Sequence, residues 1–336
     1  MDINTVSVEK IQFSKDLLHI KDVDLVVDKI CAKLKSDVFN VLGRRGGVVG
    51  ISGGIDSSVT LALAVRALGA ENVIGIILPD KDSSSDSRIL AEKLAGKFGV
   101  KTRVEDISQA LEGFHCYERR DEAVKRLIPN YDPKKDKMKI YVNADAISKN
   151  LPPVFRVMVE YSDGSEEDQR LPLDEYLQIV AASNLKQRSR MSFLYYYAES
   201  LHFAVIGTPN IHEVKQGFFV KYGDGAADVM PIGHLYKTQV YQIARYLGIP
   251  EEIIKRTPTT DTYSAEQTQE EFFYQVPFEE MDLMWYGWEK EYPAGEIAMS
   301  LGKSEEMVSQ NFMNFKRKKK TTDYLRMAPI FDYDPV

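Results

Sequence analysis

The sequence predicts an α/β fold, a doubly wound parallel sheet of Rossmann-like type with an inserted α+β hairpin element. Three observations carry that expectation. Short apolar runs at Val48–Ile51, Val73–Leu78 and Lys101–Ile107 alternate with segments of helical apolar spacing. The first run passes through a glycine turn, Gly53–Gly54, straight into a helix start. An alternating segment, Val154–Tyr161, then runs into Ser162–Asp163–Gly164–Ser165, a strong local hairpin signal that breaks the α/β rhythm.

Taken in order, Val23, Leu25, Val26, Ile30, Leu34, Val38 and Val41 space a helix over residues 21–42 that ends at Gly43. The strand Val48–Ile51 follows, and Val59, Leu61, Leu63, Val65 and Leu68 mark the helix behind it. Val73–Leu78 is the second strand, Ser87–Phe98 a helix closed by Gly99, and Lys101–Ile107 the third strand. Right-handed crossovers then put Ser52–Ser58 and Pro79–Ser87 at the carboxyl edge of one sheet, where such folds bind ligands. Residues 109–181 depart from the pattern and are charge-rich, as in Lys134–Lys135–Asp136–Lys137. The pattern resumes with Tyr176–Ser183 and a helix opened at Asn184 and ending at Leu201, then a strand at Phe203–Ile206 and a helix at Lys237–Leu247 closed by Gly248. The expected organisation is one α/β domain from residues 1–108 and 182–336, with 109–181 inserted.

Composition bounds the function. The 336 residues hold one catalytic domain, and a net charge of −7 argues against nucleic acid or a membrane surface as partner. The basic run Lys316–Arg317–Lys318–Lys319–Lys320 suits a solvated helix face. Cys31 and Cys116 are the only cysteines and lie far apart, which suggests neither a disulfide framework nor a zinc site. With no leader-like start and no apolar stretch of the ~20 residues that a membrane helix needs, the expectation is a soluble, cytoplasmic protein.

Ser52–Gly53–Gly54–Ile55–Asp56–Ser57–Ser58 has the anatomy of a phosphate cradle: the glycines admit close approach, and the serines and first-turn amides aim donors at an anion. It is not a Walker loop, because no Gly-Lys-Ser/Thr follows. Asp56 beside phosphate reads as a Mg²⁺ ligand; the alternative is that Asp56 and Ser57 cap the helix. The hydroxyls of Ser83–Ser87 suit either capping or nucleotide contacts. Lys186, Arg188 and Arg190 near a helix start need an anion, unless they lie on a solvated face. After the strand at 203–206, Gly207–Thr208–Pro209–Asn210–Ile211–His212–Glu213 places Glu213 as a second metal ligand facing Asp56, and His212 as either a general base or a structural residue. In Lys221–Tyr222–Gly223–Asp224–Gly225 the glycines make a tight turn about Asp224.

The first of these loops resembles the signature loop of the N-type ATP pyrophosphatases, enzymes of the adenine nucleotide alpha hydrolase-like fold that split ATP into AMP and pyrophosphate. The later segments are similar to the NAD synthetases within them: Asn184–Met191, Gly207–Glu213, Lys221–Gly225, Leu235–Gln239 and Pro258–Asp261. The resemblance implies a ligase in which ATP and Mg²⁺ adenylate a small-molecule carboxylate, deamido-NAD, with release of pyrophosphate, after which ammonia displaces AMP. It implies ATP contacts from Ser52, Gly53, Gly54, Asp56, Ser57, Ser58, Arg190, Thr208, Lys237 and Thr259, and metal ligation by Asp56 and Glu213. It places Asn184, Arg188, Lys221 and Asp228 on the substrate side, with Asp224, Lys221 and Lys237 as catalytic groups. It also implies a homodimer. No glutaminase is in view, since neither cysteine sits in a nucleophile elbow, so ammonia comes from solution or from a separate glutaminase.

The chain departs from the family pattern at Gln187, at Ile211–His212 and over Gln267–Tyr274, as well as in the 109–181 insertion. Those departures keep open a related pyrophosphatase that amidates another carboxylate, in sugar or secondary metabolism. A non-catalytic nucleotide-binding module is the third reading, disfavoured because Asp56, Glu213, Lys221, Asp224 and Lys237 are all retained.

Overall fold

The computed structural model describes residues 12–142, 154–260 and 262–331; Asp261, expected in the Pro258–Asp261 motif, lies outside them. Among the described residues seven strands form two sheets: β1 (Gly47–Gly50), β2 (Val73–Ile77), β3 (Lys101–Val104), β4 (Lys137–Val142), β5 (Phe155–Glu160), β6 (Glu166–Arg170) and β7 (Ala204–Ile206). The first sheet is parallel throughout, in the order β3-β2-β1-β7. Its central strands are covered on both faces, which is why β1 reads as a continuous apolar run, with Val48 and Val49 wholly buried. Helices Val23–Ser36, Ile55–Leu68 and Lys237–Tyr246 share one core with one face of that sheet. The third strand ends at Val104, earlier than its apolar pattern suggests. Beyond it Glu105 N–H still donates to Ile77 O at 2.9 Å and Ile107 N–H to Pro79 O at 3.0 Å.

The inserted segment is α+β as expected. Helices Ser108–Gly113 and Cys116–Leu127 lead into an antiparallel sheet of order β4-β5-β6. Met138, Ile140, Val157 and Val159 fill its inner face, and the outer strand β6, Glu-Glu-Asp-Gln-Arg, is mostly exposed, a charged edge that discourages pairing with another chain. The β5–β6 turn closes through Tyr161 N–H to Ser165 O at 2.8 Å, with Gly164 at φ +84°.

One expectation is corrected. Asn184 does not open a helix: it lies inside a single helix, Leu173–Leu201, that runs unbroken across residues 181–182. The dipole argument for the cations at 186–190 therefore falls away: Lys186 and Arg190 meet carboxylates of Asp80 and Asp82, and Arg188 a backbone carbonyl. This long helix packs against Cys116–Leu127 and then feeds β7.

Among the described residues no helix is long and apolar enough to cross a membrane. Both cysteines are free and buried. Burial pushes the Cys31 thiol up to about 11, and raises Cys116 against the opposing pull of Lys186 and Arg120.

Candidate active site

The turn after β1 builds the floor of a cleft. Gly53 takes φ +73°, and a Cβ there would sit 2.6 Å from Ser87 O, so only glycine lets the turn pass under the next loop. The Ser52 and Ser57 hydroxyls meet at 3.2 Å, while Ser57 and Ser58 both donate to Gly54 O, at 3.0 and 2.8 Å. Helix Ile55–Leu68 thus begins with its free amides at the cleft and no side-chain cap, leaving Asp56 for other work. The cleft opens to solvent, and Ser52, Gly54, Asp56, Ser57, Thr208, Glu213 and Thr259 line it.

Its charged centre is compact. The buried Lys237 ammonium pairs with Asp56 Oδ2, and Asn210 Nδ2 donates to Asp56 Oδ1 at 3.3 Å. Asn210 also caps the short helix Ile211–Gln216: its Oδ1 accepts from His212 N–H at 2.9 Å, and Glu213 Oε2 accepts from its N–H at 2.8 Å. One asparagine therefore ties both expected metal ligands together. Burial, then the charge of Asp56, pushes the Glu213 carboxyl up to about 8, against Lys237. Lys237 itself is raised: burial opposes its charge, but Asp56 and Glu213 outweigh it.

His212 is wholly buried, with Nε2 2.5 Å from Asp282 Oδ1 and Nδ1 3.1 Å from Gln216 Nε2. Asp282 in turn accepts from Lys237 N–H at 3.3 Å and Thr238 N–H at 2.8 Å, capping the helix that carries Lys237. Of the two roles open to His212, the structure supports the structural one.

The remaining expected residues form a second group that does not line the cleft. Asn184 and Arg188 lie one helical turn apart, and Arg188 Nε donates to Lys221 O at 3.4 Å. Asp224 Oδ1 accepts from Val220 N–H at 2.7 Å, within a turn where Tyr222 takes φ +60°. Surrounding protein mass raises the Asp224 carboxyl to about 6, an effect tempered by the exposure of the residue, and its charge adds to the rise at Glu213. Lys221 Nζ is occupied by Tyr324 O and Met327 O, at 2.8 and 2.9 Å, at the carboxyl end of helix Glu305–Arg326. Asp228 clasps β7, with Oδ2 accepting from Val205 N–H at 2.7 Å and Oδ1 from Tyr195 OH at 3.3 Å. Arg190 donates to Leu78 O at 3.1 Å and to Asp80 Oδ2 at 3.0 Å.

The chain matches the sequence profile of NAD synthase over residues 26–171 and 150–323. It belongs to the NAD synthase family. It is 46% identical over 320 residues to the NH(3)-dependent NAD(+) synthetase of Rhizobium meliloti (strain 1021), a match covering 95% of each chain and so most of the inserted segment. To the enzyme of that name from Thermotoga maritima it is 33% identical over 291 residues, 85% of this chain and 92% of the other. Two solved structures share the fold: the NMN synthetase of Francisella tularensis, with TM-score 0.62 and 23% identity, and the NH3-dependent NAD synthetase of Campylobacter jejuni, with TM-score 0.61 and 21% identity. Each comparison covers 93% of this chain and 99% of the other.

For this NAD synthase family member, motif reading missed Asn210 as the link between Asp56 and Glu213, although the Asn-x-x-Glu capping box was visible. It also missed Arg256 and Gln269 in the cleft. Arg256 donates to Ser87 Oγ at 2.9 Å across 169 residues of sequence, a pairing that leaves no local signal.

Proposed function

We propose that the chain is an ammonia-dependent, ATP-consuming ligase that converts the carboxylate of deamido-NAD to the amide of NAD, releasing AMP and pyrophosphate. The supporting observation is the cleft in which the uncapped Ser/Gly turn, the Asp56 and Glu213 carboxylates and the buried Lys237 meet, in a family member that aligns over 95% of its length with an NH(3)-dependent NAD(+) synthetase.

The donor set suits ATP and Mg²⁺. Two carboxylates share one side of an anion-binding turn, and the Glu213 carboxyl is raised by burial first and then by the charge of Asp56, the second of which a cation would relieve. Mg²⁺ typically takes one or two carboxylates together with substrate phosphates, so Asp56 and Glu213 would hold it. Bound there, it supplies charge neutralisation at the phosphates.

The rest follows from the chain's own groups. The first-turn amides of Ile55, Asp56 and Ser57 and the hydroxyls of Ser52 and Ser57 orient the phosphates and stabilise the charge that builds on pyrophosphate as it leaves. Lys237 balances Asp56 in the free chain, and phosphate oxygens give the same ammonium a second partner. Gln269 brings a buried, unpartnered Oε1 to the cleft wall, suited to a nucleotide donor. Arg190, Thr208 and Thr259 extend the ATP contacts. Asn184, Arg188 and Asp228 belong to the dinucleotide side, with Lys221 released from its carbonyls to meet the acyl oxygen. Asp224, with a carboxyl near 6, takes or orients the ammonium proton. We further propose a homodimer in the cytoplasm, fed by free ammonia or by a separate glutaminase.

The test is AMP and pyrophosphate release from ATP, Mg²⁺ and ammonium, with and without deamido-NAD, beside Asp56→Ala. Strong stimulation with NAD as product is expected. ATP turnover driven by another carboxylate and indifferent to deamido-NAD would overturn the acceptor, and no turnover with any acceptor would overturn the enzyme.

A further inference from the structure

Among the described residues the 109–181 segment adds none to the cleft lining, yet two of its features, Arg120 and the edge of β4, converge with Lys186 on the cleft walls. Lys186, buried midway along helix Leu173–Leu201, donates through Nζ to Asp80 Oδ1 at 3.2 Å, Asp82 Oδ2 at 2.7 Å and Thr262 O at 2.9 Å. The first two acceptors lie on the loop after β2. The third lies between Pro258–Thr260 and Gln267–Gln269, two stretches tied by Thr260 N–H to Gln267 O at 3.1 Å and Gln269 N–H to Pro258 O at 3.0 Å. Pro258, Thr259 and Gln269 face the cleft. One ammonium thus bonds both the loop after β2 and the segment that forms the cleft wall.

The insert supports that ammonium from two directions. Arg120 donates to Asp82 Oδ2 at 2.5 Å and to Asp121 Oδ1 at 2.8 Å, where Tyr131 OH also donates at 3.3 Å. On the other side β4 accepts the wall segment at its edge: Ala265 N–H to Met138 O at 3.1 Å, Met138 N–H to Ser264 Oγ at 2.9 Å, and Gln267 Nε2 to Ile140 O at 2.7 Å. Three carboxylates (Asp80, Asp82, Asp121) face three cations (Lys186, Arg120, Arg190), so the cluster is balanced in charge. Buried pairs of this kind contribute little net stability compared with apolar packing, but they fix the geometry of what they join. Asp80 is shared by Lys186 and Arg190, so the cluster also sets the position of an expected ATP contact.

We propose that Lys186 is a positioning residue for the nucleotide cleft, and that the insert, through Arg120 and β4, holds it and the 257–269 wall in the ATP-binding arrangement. This rests on the functional reading above.

The experiment compares wild type with Lys186→Met, Arg120→Met, their double variant and Arg120→Lys. MgATP affinity by calorimetry, the KM values for ATP and ammonium, kcat and the melting temperature are all measured. Lys186→Met is expected to weaken MgATP and raise its KM about tenfold or more, and Arg120→Met about threefold, with the ammonium KM unchanged in both. Because both side chains meet on Asp82, the double variant should be no worse than Lys186→Met alone. Arg120→Lys, which keeps a charge for Asp82, should recover most of the loss. A Lys186→Met chain that fails to fold leaves the decision to Arg120→Met, whose side chain is remote from the cleft. Folded variants with wild-type KM for ATP, whatever their melting temperatures, would overturn the proposal, and so would simply additive effects. Wild type that binds no MgATP would instead overturn the functional reading beneath it.

Discussion

The two sheets of this protein are built to opposite rules. The central strands of the parallel sheet are covered on both faces, and two of the turns that line the cleft leave the carboxyl ends of β1 and β7. The antiparallel sheet buries one face, exposes a charged edge strand, and gives its other edge to the segment that walls the cleft. Chemistry-bearing turns belong to the first, and support for one wall belongs to the second. A segment that carries none of the expected catalytic groups thus still holds hydrogen bonds to the wall of the cleft.

The largest test breaks the chemical side. Asp56→Asn should lower kcat/KM for NAD formation by about a thousandfold or more, and should lower the melting temperature too, because it leaves the buried Lys237 ammonium without its carboxylate partner. Next comes the supporting side. Met138→Ala, at a position with no exposure, should cost about 2–5 kcal/mol in urea unfolding and raise the KM for ATP more than it lowers kcat.

These two outcomes bear on what the sequence revealed. The parallel sheet was legible because a both-sides-buried strand followed by glycines is a local pattern, as at Val48–Gly54. The hairpin was legible through alternation and Asp163–Gly164. The long helix was misjudged because Ser183–Asn184 looks like an N-cap, whereas no glycine or proline between Leu173 and Leu201 breaks the backbone there. Asp56 and Glu213 were readable as carboxylates in turns at strand ends, and Lys237 only through the resemblance of Leu235–Gln239 to a family motif. The Asp80–Asp82–Lys186–Arg120 cluster was not, since the ion pairs that build it span 38 to 106 residues and only the fold brings their partners together.

A smaller effect is pH-dependent. The raised Asp224 carboxyl keeps its proton in the folded chain between its ordinary 3.8 and about 6, a window in which the unfolded chain has lost it. Folded protein then binds the extra proton, so stability falls as pH rises through that range. Asp224→Asn should flatten this part of the stability profile, measured by urea unfolding from about pH 4 to 6. Glu213→Gln should do the same over the span from 4.5 to about 8. The smallest effect is at the hairpin tip. Gly164 takes φ +84° in open space, so Gly164→Ala should cost about 1 kcal/mol through backbone strain alone and leave turnover unchanged.

The two buried thiols have a practical consequence. Cys31 is pushed up to about 11 and Cys116 lies under Ala182 O, so neither offers a thiolate to an alkylating reagent near neutral pH. The natural sequence is therefore already a blank background for maleimide chemistry. A single cysteine introduced at the exposed β5–β6 turn would carry a fluorophore or spin label to the far side of the inserted sheet, and the distance from there to a labelled nucleotide would report on the cleft without any native residue being removed.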